Sequence, residues 1–175
     1  MSLACPIVPP PLAGAEPHRF LIRALSTRDA AACAVFTAHL DRADIRLRFG
    51  TSHCATAYFL PGRDGTGERV TLAAIDSAET ILGILTLSHV STNTGEIALI
   101  VRSDQQRRGI GRALLAHACA VARGDGLREL FGYVLAENTP MLRLARRAGF
   151  AFSRWDEFLV EARVTLSQHA SRDAG

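Results

Sequence analysis

The 175-residue chain has no lysine, and all 20 of its basic residues are arginine. That absence excludes a Schiff-base lysine, a pyridoxal anchor and the lysine of a G-K-[ST] phosphate loop. Arginine remains available as a permanently charged fork for phosphate or carboxylate. Long apolar runs are also missing, and nothing approaches the roughly eighteen uninterrupted apolar residues that a membrane helix needs. Charge of one sign is scarce as well. A net charge of +3 does not suit a dedicated nucleic-acid binder. Cysteine is limited to Cys5, Cys33, Cys54 and Cys119, without a C-x-x-C pair. These read as reduced thiols of a cytoplasmic protein. His53 and Cys54 are adjacent, but two neighbouring residues cannot make a zinc site, so no metal is expected.

What is present is an ordinary globular composition. The apolar fraction is 48% and the charged fraction 21%, enough for a sizeable core. The length suits one domain. Residues 1–17 hold four prolines before Glu16 and no basic start, so they read as a disordered tail rather than a signal peptide. The domain is expected over residues 18–166, followed by a polar tail over 167–175.

Within the domain, HRFLIRAL alternates as a first strand, and Ser26 or Thr27 can cap a helix through RDAAACAVFTAHL. DRADIRLRF suits a second short helix, with Arg42, Arg46 and Arg48 around the wheel away from Ile45 and Phe49. SHCATAYFL fits either helix or strand, and PGRDGTGE reads as a loop. RVTLAAID, TILGILTLSHV and EIALIVR form a three-strand meander, the last strand apolar on both faces and therefore central. In IGRALLAHACAVAR, the residues Ile110, Leu114, Leu115, Ala118 and Val121 make one helical stripe. LRELFGYVLA is a strand, ENTPMLRLARRAG a short helix, and FAFSRW with EFLVEARVTL a closing hairpin. The expected fold is α/β, with the order β-α-α-β-β-β-α-β-α-β-β.

The stretch SDQQRRGIGRALL carries the chemistry. Gly109 and Gly111 sit where a loop becomes a helix, directly after Arg107 and Arg108. Glycine lets backbone N–H groups converge, and a helix start adds unpaired donors and a positive dipole. The combination describes an anion site for a phosphate or pyrophosphate. A glycine turn with solvated arginines would have the same composition. A Walker loop is impossible without lysine. A dinucleotide fingerprint would need a third glycine where Leu114 stands, although Glu137 could mimic its ribose-binding acid.

The remaining scheme is Q-x-x-G-x-G, here Gln106 to Gly111, after an antiparallel meander and opening an amphipathic helix. At this point the sequence resembles the GNAT superfamily of acyl-CoA-dependent N-acyltransferases, from about His18 to Leu166. VLAENTPMLRLARRAGF resembles the family's later motif, with Asn138 after a strand and Gly149-Phe150 closing a helix. Together with Asp44-Ile45-Arg46-Leu47-Arg48-Phe49, it looks most like the acetyltransferase domain of bacterial protein lysine acetyltransferases.

The resemblance implies a GNAT-type twisted, mixed, mostly antiparallel sheet with helices on both faces, and acetyl-CoA as cosubstrate. The backbone of Ile100 and Val101 should pair with the pantetheine arm at a splay between strands. A backbone N–H near Ile100 should serve as oxyanion donor. The amides of Arg107, Arg108, Gly109, Ile110, Gly111 and Arg112 should hold the pyrophosphate, and Asn138 should lie near the thioester end. Glu96 is implied as the catalytic base, although without the family a glutamate opening a strand is solvated scaffolding.

Many members place a proton-donating Tyr four residues before the Gly-Phe, where this chain has Ala145. Tyr133 reads as core, leaving the leaving-group acid unassigned. Cys119 reads as packing rather than a nucleophile. The arginines of MLRLARRAG read as a solvated face that could also meet an acidic surface or the 3′-phosphate of CoA. Phe152, Trp155 and Phe158 read as hairpin packing rather than a substrate cage. The expected reaction is acetyl transfer to an amine, first a protein lysine and next a small amine, by direct attack in a ternary complex. The alternative is a silent CoA-binding module. Neither nucleic acid nor membrane is an expected partner, and monomer and homodimer both fit.

Overall fold

A computed structural model describes residues 20–51, 54–64 and 67–167. The expected N-terminal tail, the expected C-terminal tail beyond Ser167, and His53 lie outside these residues. The chain opens with β1 (Leu21–Ala24), α1 (Ala30–Ala38) and α2 (Arg42–Phe49). It continues through β2 (Gly62–Asp64), β3 (Gly67–Ile75), β4 (Ile81–His89) and β5 (Thr94–Val101). After α3 (Ile110–Gly124) come β6 (Glu129–Leu135), α4 (Thr139–Arg147), β7 (Ala151–Arg154) and β8 (Leu159–Thr165). The described strands form one sheet in the order β1-β3-β4-β5-β6-β8-β7, with β2 also on β3. Among the described strands only the β5–β6 pair is parallel. Residues 42–49 and 110–124 are helical as expected, and β5 is central.

Three expectations need correction. PGRDGTGE is not all loop, because Gly62 to Asp64 pair antiparallel with Gly67 to Arg69 and add a strand to the order. SHCATAYFL is neither a full helix nor a strand; Thr56–Phe59 makes one 3-10 turn, and Phe59 enters the core. β5 begins at Thr94, inside the expected turn, because the Thr94 carbonyl accepts the Val90 N–H at 3.0 Å and starts the ladder early.

Strand alternation separates two cores. Leu72, Leu85, Leu87 and Ile97 face α3, against Ile110, Leu114, Leu115, Ala118 and Ala122. Ala73, Ile84 and Ile100 face the other way, against Cys33 and Phe36 of α1 and Ile45 of α2. Helices therefore cover both faces. Leu114 and Leu115 are wholly buried, and each such side chain contributes about 1.5–3 kcal/mol relative to exposure.

The entry to α1 is fixed electrostatically. Ser26 accepts the Arg28 N–H, and the Asp29 carboxylate accepts the Ser26 N–H at 2.7 Å. Arg23 on β1 grips Asp29 at 2.6 and 3.1 Å, tying this turn to the sheet edge. The Arg23 hydrogen bond, with help from Ser26, lowers the Asp29 carboxyl to about 2. Its folded value lies below the unfolded one, so the contribution is present above about pH 4 and is lost as pH falls towards 2. Asp29→Asn should therefore melt below the parent protein at pH 6, and the difference should close in melts run between pH 4 and 2.

Candidate active site

The loop between β5 and α3 is held from below by α2. The Asp44 carboxylate accepts hydrogen bonds from the Ser103 hydroxyl and from Gln106 Nε2, the latter at 3.1 Å. Gln106 Nε2 also reaches the Val101 carbonyl at 3.3 Å. Arg102 pairs with Asp104 at 2.9 Å. Beyond this anchor, Arg107 has φ +60° and Gly109 φ +82°, with Arg108 between them at negative φ. Alternating handedness turns successive N–H groups into one concavity. Gly109 is the N-cap of α3 and supplies no capping side chain. Among the described residues, the backbone N–H groups of Arg107 to Arg112 donate to no protein acceptor. The side chains of Arg107, Arg108 and Arg112 are exposed around this cradle. The six residues named from sequence thus converge as one set of donors with cationic arms.

Beside the loop, β5 and β6 separate. They are in register at Thr94–Glu129, Gly95–Leu130 and Glu96–Phe131, and there the ladder ends. Gly132 marks the last close approach, since a Cβ there would lie 2.7 Å from the Ile97 carbonyl oxygen. Past it opens a cleft lined by Ala98, Leu99, Tyr133, Val134, Asn138 and Met141, among others.

Backbone direction corrects one assignment. The Arg102 N–H donates to Leu82 and the Thr94 carbonyl accepts from Val90, so even-numbered residues of β5 turn towards β4. Asn93 accepts from Arg128 and Glu129, so odd-numbered residues turn towards β6. Ile100, in register with Ile84, directs its own N–H and C=O at β4. Leu99 and Val101 are the residues whose backbone groups face the opening, and the Val101 carbonyl already accepts Gln106.

Glu96 stands at the apex of the splay, in register with Ser88 on one side and Phe131 on the other. It is half-buried and shares a face with Ala98, Ile100, Phe131 and Tyr133. Arg48 of α2 lines the same cleft and feels the Glu96 charge. Tyr133 is not core. It is 38% exposed, its ring lying between those of Phe131 and Trp155. Its phenol is pushed up by desolvation, then by the Glu161 and Glu96 carboxylates, and stays protonated at neutral pH.

The hairpin reading of the aromatics also needs correction. Trp155 is 60% and Phe158 66% exposed, and the Trp155 ring meets Tyr133 at 4.9 Å, while only Phe152 packs on the core.

Asn138 lines the cleft and also caps α4, accepting the Met141 N–H at 3.2 Å. Ala145 is buried there and offers no proton. Glu137 pairs with Arg46 at 2.6 Å, bridging α2 to the β6–α4 loop. Arg143, Arg146 and Arg147 are exposed. The thiols of Cys33, Cys54 and Cys119 are free and all pushed up by burial, which makes them poor nucleophiles. Among the described residues no group of side chains could hold a metal ion, and no helix is long and apolar enough to cross a membrane.

Sequence reading missed Asp44 and Arg48. Their spacing of four on α2, flanking buried Ile45, places them on one side of the helix and was the available signal.

The profile of the acetyltransferase (GNAT) family matches residues 42–150. The chain belongs to that family. Over 85 residues it is 34% identical to the mycothiol acetyltransferase of Actinosynnema mirum, which covers 48% of this chain and 28% of that protein. The chain thus spans less than a third of that relative's length. In fold it is similar to the GNAT domain of S. lividans PAT, with TM-score 0.75, 23% identity, and 84% and 90% of the two chains covered. It is also similar to yncA of Salmonella typhimurium, solved with its cofactor acetyl-CoA, at TM-score 0.65, 18% identity, and 90% and 99% covered. The GNAT sheet, splayed between its central strands, is the frame on which all the residues above are mounted.

Proposed function

We propose that this GNAT protein transfers an acetyl group from acetyl-CoA to a primary amine by direct attack in a ternary complex. The observation that carries the reading is the juxtaposition of two features: a cradle of six N–H donors opening α3, and a splay beside it that ends on a carboxylate. The cradle fits a pyrophosphate and the splay an extended arm. In this reading the N–H groups of Arg107, Arg108, Gly109, Ile110, Gly111 and Arg112 hold the pyrophosphate. Leu99 and Val101 offer the arm their backbone edge, where sequence alone suggested Ile100 with Val101. The N–H of Leu99 polarises the thioester carbonyl, and Asn138 borders the arm. Glu96 takes the proton as the amine nitrogen bonds to the carbonyl carbon and the C–S bond breaks.

The departing thiolate needs a proton that Ala145 cannot give. Among the residues lining the cleft, Tyr133 carries the one hydroxyl, and its raised pKa keeps it a donor. Tyr133→Phe should lower kcat by roughly tenfold to a hundredfold and leave the acetyl-CoA-induced rise in melting temperature intact. An unchanged kcat assigns that proton to water.

The acceptor is read as a small amine, in keeping with the acetyltransferase named among the relatives. A protein lysine is the second reading. It is favoured by the Asp44-to-Phe49 motif and by the fold likeness to the S. lividans PAT domain. Release of CoA thiol from acetyl-CoA, measured against small amines and a lysine peptide, tests both. A silent CoA-binding module would bind acetyl-CoA and release none.

A further inference from the structure

Arg48 is a cation without a counter-ion. It lines the cleft together with Tyr133, and its guanidinium lies over the Phe49 ring at 4.5 Å. Among the described residues it makes no ion pair within 4 Å, unlike Arg23, Arg46, Arg102 and Arg163, each of which holds a carboxylate. Desolvation pushes it down to about 10, partly offset by the charge of Glu96, while Arg69 repels it. At neutral pH it is still charged. A desolvated charge left without a hydrogen-bonded partner is costly, and a guanidinium fork matches a carboxylate better than any other common group. Arg48 on α2 lines the cleft, and Glu96 stands at its rim, two residues before the cleft-lining Ala98 and on the same face of β5, so two opposite charges border one opening without an ion pair between them.

That pattern is complementary to a zwitterion. We infer that Arg48 determines acceptor specificity by binding a carboxylate, so that the acceptor is an amino acid or related amine with a carboxylate close to its reacting nitrogen. This rests on the acetyl-transfer reading above. The ammonium enters on the Glu96 side and gives its first proton to water, leaving Glu96 to take the second as the nitrogen attacks, while the carboxylate forks onto Arg48. α2 is fixed for this task, since Asp44 on the same helix is anchored to Ser103 and Gln106.

The test is CoA-thiol release from acetyl-CoA with the twenty common L-amino acids, their carboxamides, spermidine and a lysine peptide amide. The wild-type protein should use at least one free amino acid about 10- to 100-fold better in kcat/KM than its carboxamide, the scale of one charge-assisted contact. Arg48→Gln should erase that preference by raising KM for the acid alone, and Arg48→Lys should restore part of it. Both variants should keep the acetyl-CoA-induced rise in melting temperature, which also reports that they fold. Equal use of acid and carboxamide by the wild-type protein overturns the inference, as does failure to acetylate any amino acid. So does a fall in kcat common to all acceptors in Arg48→Gln, which would make Arg48 a positioning residue for Glu96, or weakened acetyl-CoA binding. Thiol release with spermidine or the peptide alone refutes the inference and leaves acetyl transfer standing. No release together with no stabilisation by acetyl-CoA removes both.

Discussion

Gly109→Asp should abolish acetyl-CoA binding. The wild-type protein, given ligand at a hundred times its Kd, should gain about 2.7 kcal/mol, and the variant should gain nothing. For a domain of this size that gain is a rise of roughly 5–10 °C in melting temperature. Two effects combine in the variant. The new carboxylate would sit among the N–H groups of Arg107 to Arg112, occupying donors meant for phosphate and repelling its charge. The backbone at φ +82° also suits glycine, although Asp tolerates this region better than most residues. A Cβ at position 109 meets nothing within 4 Å, so the variant should fold. Gly109→Ala separates the terms, since it strains the turn without adding charge and should weaken binding far less. A larger stabilisation of the wild-type protein by NADH or ATP than by acetyl-CoA would refute the pyrophosphate-of-CoA assignment.

That loop was legible in the sequence because its chemistry is local. Gln106 to Gly111 are contiguous, and backbone donors at a helix start need only the right turn. The α3 stripe was legible for a similar reason, as Ile110, Leu114, Leu115 and Ala118 repeat with the helical period and all four are buried. What stayed hidden depends on which strand lies beside which. The direction of the Ile100 backbone follows from the β4 register, and one residue's shift exchanges the two edges. Tyr133 looks like core because β6 alternates against a buried neighbour on one face, yet its own face is left open beside Trp155. Arg48 looks like a solvated arginine in a charged helix, and only the packing of α2 on the sheet brings it to the cleft. β2 was hidden by the glycines of PGRDGTGE, because pairing with β3 overrides a composition that favours a turn.

Glu96→Gln should lower kcat by roughly 10²–10⁴-fold while acetyl-CoA affinity stays nearly intact. Glutamine keeps the size of the side chain, so the register with Ser88 and Phe131 should survive. What it loses is the acceptor for the amine proton. A protonated amine dominates near neutrality and cannot attack, so wild-type turnover should rise with pH as the amine deprotonates. In the variant the proton must pass to water, so the loss should be greatest for the most basic acceptors. The place of Glu96 explains why a carboxylate suits this point. It is the last residue of β5 in register with β6, and its own N–H and C=O are directed at Ser88 of β4, so its backbone is fixed just where the two central strands part. A base held on a paired strand loses little freedom when the amine arrives. Weakened acetyl-CoA binding with unchanged kcat would make Glu96 scaffolding at the splay. Full activity in the variant would pass the proton to water or to Glu137, whose carboxylate already holds Arg46 at 2.6 Å and would have to release it first.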